Sequence, residues 1–446
     1  MPNVPPSVVP SARTGQPPVA GQLVAGQLVD AEADAQPTPV PTPAATPLGR
    51  LVLGGSLVLI AFNLRPVFSS LSALLPEVML SAGLSTATAS ILTTLPVLCL
   101  GMFAPLAPGL ARRVGAERVL LGALLLIAIG SGLRGFGTVP ALFAGTFFAG
   151  FAIALGNVLL PGLVKRDFAS RAALMTGLYT MALCAGAACA AGFTVPIQRL
   201  IGGSWAGALA VWAIPAVIVL LLWVPQSLRT QGGHQTVSHR IEGLWRDPLA
   251  WQITLFMGLQ SALAYIVFGW LAPILRERGM DAASAGFVVS VSVMVQVVTC
   301  LLVPHLAMRG RDQRLICVVL PTVALIGLLG FLFAPLWTVW FWAVVQGIGQ
   351  GGLIAIAMML IVLRSPDARV ASHLSGMVQG VGYLIAATGP LLVGLLHGWM
   401  GSFTSSAIFF VLLWAGAAFC GWGAGRATHV NVSVREHRAR TEEQGR

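Results

Sequence analysis

Twelve long apolar runs separated by short polar breaks constrain the fold of this 446-residue chain more than any other feature of its sequence. A helix needs about 20 predominantly apolar residues to cross the hydrocarbon layer of a bilayer, and each run is long enough to do so. Only 9% of the residues are charged, whereas soluble domains have about a quarter. The sequence therefore predicts an all-α membrane protein with twelve transmembrane helices.

The longest internal polar segment separates the runs into six and six. We place the spans near residues 51–75, 86–108, 117–137, 140–163, 171–196, 204–224, 249–275, 283–306, 314–334, 336–363, 371–397 and 402–424. The predicted organisation is an N-terminal tail, a six-helix half, a central loop, a second six-helix half and a C-terminal tail, at residues 1–49, 50–224, 225–248, 249–425 and 426–446.

The first tail is rich in Pro, Ala, Val, Gln and Thr, and no basic segment leads into an apolar core, so we expect a disordered tail rather than a signal peptide. Orientation follows from the basic residues, which favour cytoplasmic loops. Fourteen of them lie in breaks after even-numbered spans, and the other internal breaks hold four: Arg134, Arg199, Arg276 and Arg278. Both termini are therefore predicted to be cytoplasmic, with the protein multi-pass in the plasma (inner) membrane.

The two halves look like repeats of one another. A shift of 196 residues places Gly83 on Gly279 and the Arg113 and Arg118 loop on Arg309 and Arg314. The alternative is coincidence between apolar sequences, but the matched residues include loop arginines. Parallel six-span repeats, related by an axis along the membrane normal, are typical of the major facilitator fold, whose substrate site lies between the halves.

Arg65 lies inside the first apolar run, followed by Pro66. Counted from Arg50 at about 1.5 Å per residue, it lies about 22 Å into a hydrocarbon layer about 30 Å thick. An arginine cannot lose its proton there, so it needs a partner, a water-filled cavity or an anionic ligand. The structural alternative is an arginine that reaches an interface or bridges helices. We favour a place in a substrate pathway, with Pro66 kinking the helix.

The break after the second span reads Gly109-Leu-Ala-Arg-Arg-Val-Gly-Ala-Glu117. It resembles the loop of major facilitator proteins at this place, but Arg112 stands where those proteins usually have aspartate. Glu117 is a candidate local partner for the basic residues of the loop. The candidate gating residues on the cytoplasmic side are Arg113, Gly115, Lys165 and Arg166.

Five runs are more specific. They begin at Asn63, Gly156, Gly177, Met257 and Gly376, and the second reads Gly-Asn-Val-Leu-Leu-Pro-Gly-Leu-Val-Lys-Arg. The chain resembles, over about residues 50–424, the cyanate and 2-nitroimidazole transporter branch of the major facilitator superfamily. The resemblance implies a secondary transporter of a small polar or anionic solute.

The apolar spans hold few groups that could bind such a solute. We predict that Arg65 contacts an anion and that neutral polar residues form the wall of a central cavity, namely Asn63, Asn157, Gln260, Ser261, Tyr265, Gln379 and Tyr383. For each neutral residue, the alternative is a hydrogen bond between helices. Second-rank candidates are Gln296, Gln346 and Gln350.

Carboxylates are absent from the middle of the predicted spans, and Glu77 is the deepest. Coupling could use the solute's own charge, a proton bound with an anion, or Glu77, and uniport and exchange stay open.

The six cysteines show no metal-ligand spacing and are predicted to pack, so we expect neither metal nor cofactor. Basic residues scattered between apolar runs argue against nucleic acid. The expected partners are a solute, possible coupling protons and membrane lipid, and we predict a monomer.

The sequence thus predicts a transporter that works by alternating access around Arg65. The rival within this class is an exporter of amphipathic drugs, which the twelve tryptophans would suit. A membrane-embedded enzyme is not expected, because the chain has no His-Glu-x-x-His, Gly-x-Ser-x-Gly or Cys-x-x-Cys pattern. A transporter-like sensor is the third reading.

Overall fold

The computed structural model describes residues 47–168, 171–229, 240–366 and 368–435. The chain divides into two units, residues 1–51 and 52–446, and the second unit contains the packed helices. Most of the N-terminal tail predicted to be disordered, residues 1–46, lies outside the described residues, as do residues 436–446.

The described chain is built almost entirely from helices. The first half contains α1 (Pro47–Asn63), α2 (Pro66–Ala82), α3 (Thr86–Phe103), α4 (Leu106–Val114), α5 (Ala116–Leu133), α6 (Val139–Asp167), α7 (Ala172–Leu200), α8 (Trp205–Ala210) and α9 (Ala213–Arg229). The second half contains α10 (Pro248–Glu277), α11 (Ala282–Ala307), α12 (Arg314–Phe333), α13 (Val339–Leu363), α14 (Ala368–Met400) and α15 (Ser406–Ala424).

Twelve helical stretches in the described residues are long and apolar enough to cross a membrane, which confirms the predicted fold. Each overlaps one of the twelve spans placed from the sequence. The first differs most: it is two helices, α1 and α2, and it runs to Ala82 rather than ending near residue 75. The chain is a multi-pass membrane protein.

Two short strands lie outside the spans. β1 (Arg240–Glu242) from the segment between the halves pairs antiparallel with β2 (Ser433–Arg435) from the C-terminal tail. Nearby, the Val430 amide donates to the Arg364 carbonyl oxygen at 2.9 Å, and the Asn431 amide to the Asp247 carboxylate at 2.8 Å. The start of the C-terminal tail is therefore folded back on the second half.

The repeat seen in the sequence has a counterpart in the backbone. Gly83 and Gly279 each follow the first span of their half, and their φ angles are 63° and 97°. Such positive φ values cost a side chain energy, so glycine is favoured at both turns. The halves contact each other closely along α7 and α11, where a Cβ on Gly286 would collide with the Ala191 carbonyl oxygen.

Candidate functional site

Arg65 lies at a break in the first span. α1 ends at Asn63 and α2 begins at Pro66, so Arg65 is the residue immediately before α2. Proline has no amide hydrogen and its ring disfavours helical geometry in the preceding chain, which makes it suited to the first position of a helix. The Leu64 amide bonds the Ala61 carbonyl oxygen at 3.1 Å and closes the short turn. Pro66 therefore sets the position of Arg65.

The Arg65 side chain faces a cavity between the two halves, with about 640 Å³ of space not filled by protein atoms, counted out to its mouth. Five residues come from the first half: Arg65, Thr180, Leu183, Cys184 and Ala187. Ten come from the second half: Gln260, Ser261, Ala264, Tyr265, Phe268, Gln296, Cys300, Gln350, Ile354 and Tyr383. Spacings of three to four residues put each helix's contributors on one face.

The guanidinium of Arg65 contacts rings rather than carboxylates. Its Cζ lies 5.8 Å from the Tyr265 ring centroid and 5.4 Å from that of Phe268. Both are within the range of cation–π attraction. In the described part of the chain no Asp or Glu lines the cavity or pairs with Arg65. The cavity therefore has one positive charge that no acidic side chain balances.

Aromatic rings separate this cavity from a smaller, mostly apolar chamber. Tyr265 and Phe268 line both spaces, and Phe68 of α2 lines the chamber. The Phe68 and Tyr265 ring centroids are 5.5 Å apart, and those of Tyr265 and Tyr383 are 6.2 Å apart. A layer of rings contributed by both halves thus closes one side of the cavity.

The structure brings together five of the eight residues predicted from sequence: Arg65, Gln260, Ser261, Tyr265 and Tyr383. The other three do not line the cavity. Asn63 is buried and donates to the Leu59 carbonyl oxygen of its own helix at 2.9 Å. Gln379 donates to Ser375 on its own helix at 2.8 Å, and Asn157 is only half-buried.

Sequence reasoning ranked Gln296 and Gln350 second, and it passed over Thr180, Cys184 and Cys300, all of which line the cavity. The cysteines were predicted to pack, and nothing in their spacing distinguishes them from Cys99, which is buried. The spacing of the cysteines from polar residues on the same helix would have identified them. Thr180 and Cys184 are four residues apart, as are Gln296 and Cys300, so each pair shares one helix face.

The candidate gating residues fall into two groups. Arg113 and Lys165 are exposed, and Gly115 adopts a φ of 94° between α4 and α5. Glu117 is buried and forms an ion pair with Arg166, which also bonds Asp167. Glu117 therefore partners the end of α6 rather than the basic residues of its own loop.

Arg134 is fully buried, although its place in the sequence indicated a loop between spans. Its guanidinium donates to the Ser70 hydroxyl at 3.1 Å and to the Val67 carbonyl oxygen at 3.4 Å. No carboxylate among the described residues forms an ion pair with it, and its Nε has no partner. Arg134 thus connects the end of α5 to the first turns of α2.

One end of the bundle is closed by polar contacts between the halves. Glu77, near the end of α2, pairs with Arg276, near the end of α10, at 2.6 Å. Farther along the helices, beside the cavity-lining Ala187, the Ser290 hydroxyl donates to the Ala188 carbonyl oxygen at 2.6 Å and links α11 to α7. No group of three metal-binding side chains occurs in the described residues.

Comparisons with known proteins agree with this architecture. The sequence profile of the Major Facilitator Superfamily matches residues 57–334. The chain is 38% identical over 379 residues to the "2-nitroimidazole transporter" of Escherichia coli (strain K12), covering 84% of this chain and 96% of that protein. It is 31% identical over 358 residues to the "Cyanate transport protein CynX" of the same organism, covering 80% and 92%.

Among solved structures, the crystal structure of a D-xylose-proton symporter superimposes with a TM-score of 0.68, covering 85% of this chain and 98% of that one. The sequences are 12% identical, so this likeness concerns the fold alone.

Proposed function

Because the chain belongs to the major facilitator superfamily, in the branch of the cyanate and 2-nitroimidazole transporters, we propose that this secondary transporter carries a small polar or anionic solute bound at Arg65. The observation that carries the proposal is the unbalanced charge of Arg65 in the cavity between the halves. A buried cation that lacks an acidic partner is favourable only if water or an anion compensates it.

The wall of the cavity suits a solute that is bound and then released rather than one that is retained. Arg65 supplies one strong electrostatic contact, and the second half supplies neutral groups from Gln260, Ser261, Tyr265 and Tyr383. A site between the two halves can be exposed to either side of the membrane when the halves rock against each other. Alternating access around Arg65 follows from that placement.

The end of the bundle with Glu77 and Arg276 is the extracellular side in this proposal, because the basic loops lie at the other end. Both termini are then cytoplasmic and the protein is in the plasma (inner) membrane. We further propose that the monomer is the transporting unit. Coupling is to the solute's own charge or to a proton carried with the anion, because the carboxylates described lie outside the cavity.

The domain organisation is part of the same proposal. Residues 50–224 and 249–425 form the two halves that move, and the central loop joins them on the cytoplasmic side. The candidate gating residues Arg113, Gly115, Lys165 and Arg166 lie at that side. We propose that they control the state in which the transporter is closed toward the cytoplasm.

Uptake into proteoliposomes tests the role of Arg65. The panel contains cyanate, simple carboxylates, 2-nitroimidazole and an amphipathic cation, and each solute is measured with wild type, Arg65→Gln and Arg118→Gln. Arg118 is an exposed arginine outside the cavity, so its substitution controls for loss of positive charge. We expect uptake of at least one anion by wild type and by Arg118→Gln, and loss of that uptake in Arg65→Gln.

A correctly folded Arg65→Gln protein that transports every accepted solute at the wild-type rate would overturn the assignment. Folding is checked by the elution profile and the melting temperature of the purified protein. If wild type accepts amphipathic cations and no anion, drug export becomes the better reading. If the wild-type protein transports none of these solutes, the hypothesis of a transporter-like sensor is favoured.

A further inference from the structure

The part of the cavity wall that comes from the second half contains three buried amide side chains on three different helices. Gln260 of α10, Gln296 of α11 and Gln350 of α13 are 0%, 6% and 1% exposed. The Gln350 Nε2 donates to the carbonyl oxygen and to the side-chain Oε1 of Gln260, at 3.2 Å each. These bonds fix the orientation of the Gln350 amide, and with it the direction of its oxygen.

Two polar atoms of this group are left over. Gln350 Oε1 and Gln296 Nε2 are buried and have no hydrogen-bond partner among the described residues. Buried polar groups are rarely left unpaired, because an unpaired one has lost its hydrogen bonds to water without gaining others. One is an acceptor and the other is a donor, and both residues line the cavity. A bound group that both donates and accepts a hydrogen bond would satisfy them together.

The charge and shape of the remaining wall restrict the solute further. Among the residues that the structure describes, Arg65 is the only charged one that lines the cavity, so this wall compensates one negative charge and offers no cation for a second. Near Arg65, the rings of Tyr265, Phe268 and Tyr383 provide flat apolar faces. Flat surfaces of this kind favour a planar body.

We propose that the solute is a planar monoanion with a second group, away from its charge, that both donates and accepts a hydrogen bond. The charged group binds Arg65, the planar body lies against the rings, and Gln296 and Gln350 bind the second group. A hydroxyl or an amide meets this description. The inference rests on the proposed function, since it takes Arg65 as the anion contact.

Matched ligands test the second group directly. Equilibrium binding to purified wild-type protein is measured by calorimetry for 4-hydroxybenzoate, 4-methylbenzoate and terephthalate. The first two differ by a hydroxyl against a methyl of nearly equal size, and terephthalate adds a second negative charge. We expect 4-hydroxybenzoate to bind at least tenfold more tightly than either of the others, because a site built for a hydroxyl rejects analogues that lack one.

Variants then locate the contact. Gln296→Leu and Gln350→Leu are expected to reduce the preference for 4-hydroxybenzoate over 4-methylbenzoate to less than threefold. Gln346→Leu is the matched control: Gln346 is also buried, lies one turn from Gln350 on α13 and has an unpaired Nε2, but it does not line the cavity. It should keep the preference. The wild-type ligand comparison needs no variant, so a variant that fails to fold leaves the test intact.

The outcomes separate this inference from the proposed function. If both benzoates bind equally to wild type and binding is lost in Arg65→Gln, the second-group inference is wrong and the anion site stands. If none of the three ligands binds, the inference is overturned, while the uptake panel with cyanate and 2-nitroimidazole still decides the proposed function. Binding that survives Arg65→Gln contradicts both.

Discussion

Two arginines of the first half, the half-buried Arg65 and the fully buried Arg134, differ in what surrounds them. Arg65 faces the cavity, whereas Arg134 is enclosed by protein and donates to Ser70 and to the Val67 carbonyl oxygen. Val67 lies two residues after Arg65, at the start of α2, the helix whose first residue follows Arg65 directly. Arg134 therefore holds the turn that sets the position of Arg65, and we treat it as a positioning residue.

Arg134→Met is expected to weaken solute binding about fivefold to tenfold, because α2 loses two hydrogen bonds at the turn that carries Arg65. A net hydrogen bond with a charged donor contributes about 1.5–3 kcal/mol, but removal of an unpaired buried charge offsets part of the loss. The melting temperature should thus change little. Binding and thermal unfolding are measured on the same preparation.

The controls for this prediction are Arg134→Lys and Ser70→Ala. Arg134→Lys keeps the charge and a donor, so it should bind better than Arg134→Met, and Ser70→Ala removes a single bond and should have the smallest effect. Unchanged affinity in Arg134→Met would show that the arginine has no part in positioning Arg65. A large fall in melting temperature would instead identify a purely structural role.

Side-chain direction is what the sequence could not supply at the residue scale. Asn63 and Arg65 are two residues apart, and both were expected in the cavity, but Asn63 bonds the backbone of its own helix. Arg134 was counted with the basic residues of the loops, yet the chain ends α5 there and buries the side chain. Residue type and spacing identify a polar side chain in a span, and helix rotation decides whether it meets the cavity.

At the scale of the elements, the spans were predictable because about 20 apolar residues are needed to cross a bilayer and few other segments of the chain are that long. The break between α1 and α2 was indicated by Pro66, but the extension of α2 to Ala82 was not. The sequence analysis ended this span near residue 75, whereas α2 accommodates Pro76 and Glu77 within its last turns.

The ends of helices near the basic loops are joined in the same way in the two halves. In the first half Arg166 of α6 pairs with Glu117 of α5. In the second, Arg364 after α13 donates to Gln313, which precedes α12. The 196-residue shift places Glu117 on Gln313, so a neutral amide does in one half what a carboxylate does in the other.

Glu117→Gln should therefore lower the free energy of unfolding by less than about 1 kcal/mol, because an amide still accepts from Arg166. Arg166→Met should cost more, about 2 kcal/mol, since it leaves the buried Glu117 carboxylate unpaired. The Arg166 side chain is 52% exposed, so the cost stays below that of breaking a fully buried pair. Chemical unfolding in detergent measures both.

The double variant completes the cycle. Once Glu117 is a glutamine, removal of Arg166 leaves a neutral amide unpaired instead of a charge. Glu117→Gln with Arg166→Met should therefore be more stable than Arg166→Met alone. Additive losses would mean that the pair contributes no coupling energy. In that case Glu117 and Gln313 would occupy equivalent positions, but their contacts would not contribute equivalently to the free energy of unfolding.

At the scale of the whole molecule, two ion pairs join the halves at one end. Glu77 pairs with Arg276 there, and Arg199 approaches Asp281 at 3.6 Å. Farther along α11, the Ser290 hydroxyl bonds the α7 backbone. The Phe68 and Tyr265 rings lie between that end and the cavity that Arg65 lines. The arrangement is that of a transporter closed at the end we assign to the extracellular side.

Opening at that end requires separation of Glu77 from Arg276, so Glu77→Gln should shift the equilibrium toward the outward-open state. The side chains are 26% and 21% exposed, and a pair of this kind contributes about 1 kcal/mol, which corresponds to about a fivefold change in population. Cys184 and Cys300 line the cavity and report on access to it. A membrane-impermeant maleimide added to the outside of intact cells should label them about five times faster in Glu77→Gln.

The matched control for this last prediction is Glu277→Gln. Glu277 lies at the same end, but its partners His397 and Phe403 belong to its own half, so its loss should leave labelling at the wild-type rate. Replacement of both cavity cysteines by alanine assigns the signal to Cys184 and Cys300. Equal rates in Glu77→Gln and wild type would show that the ion pair does not hold the halves together, and closure would then depend on the aromatic rings and on the close packing of α7 against α11.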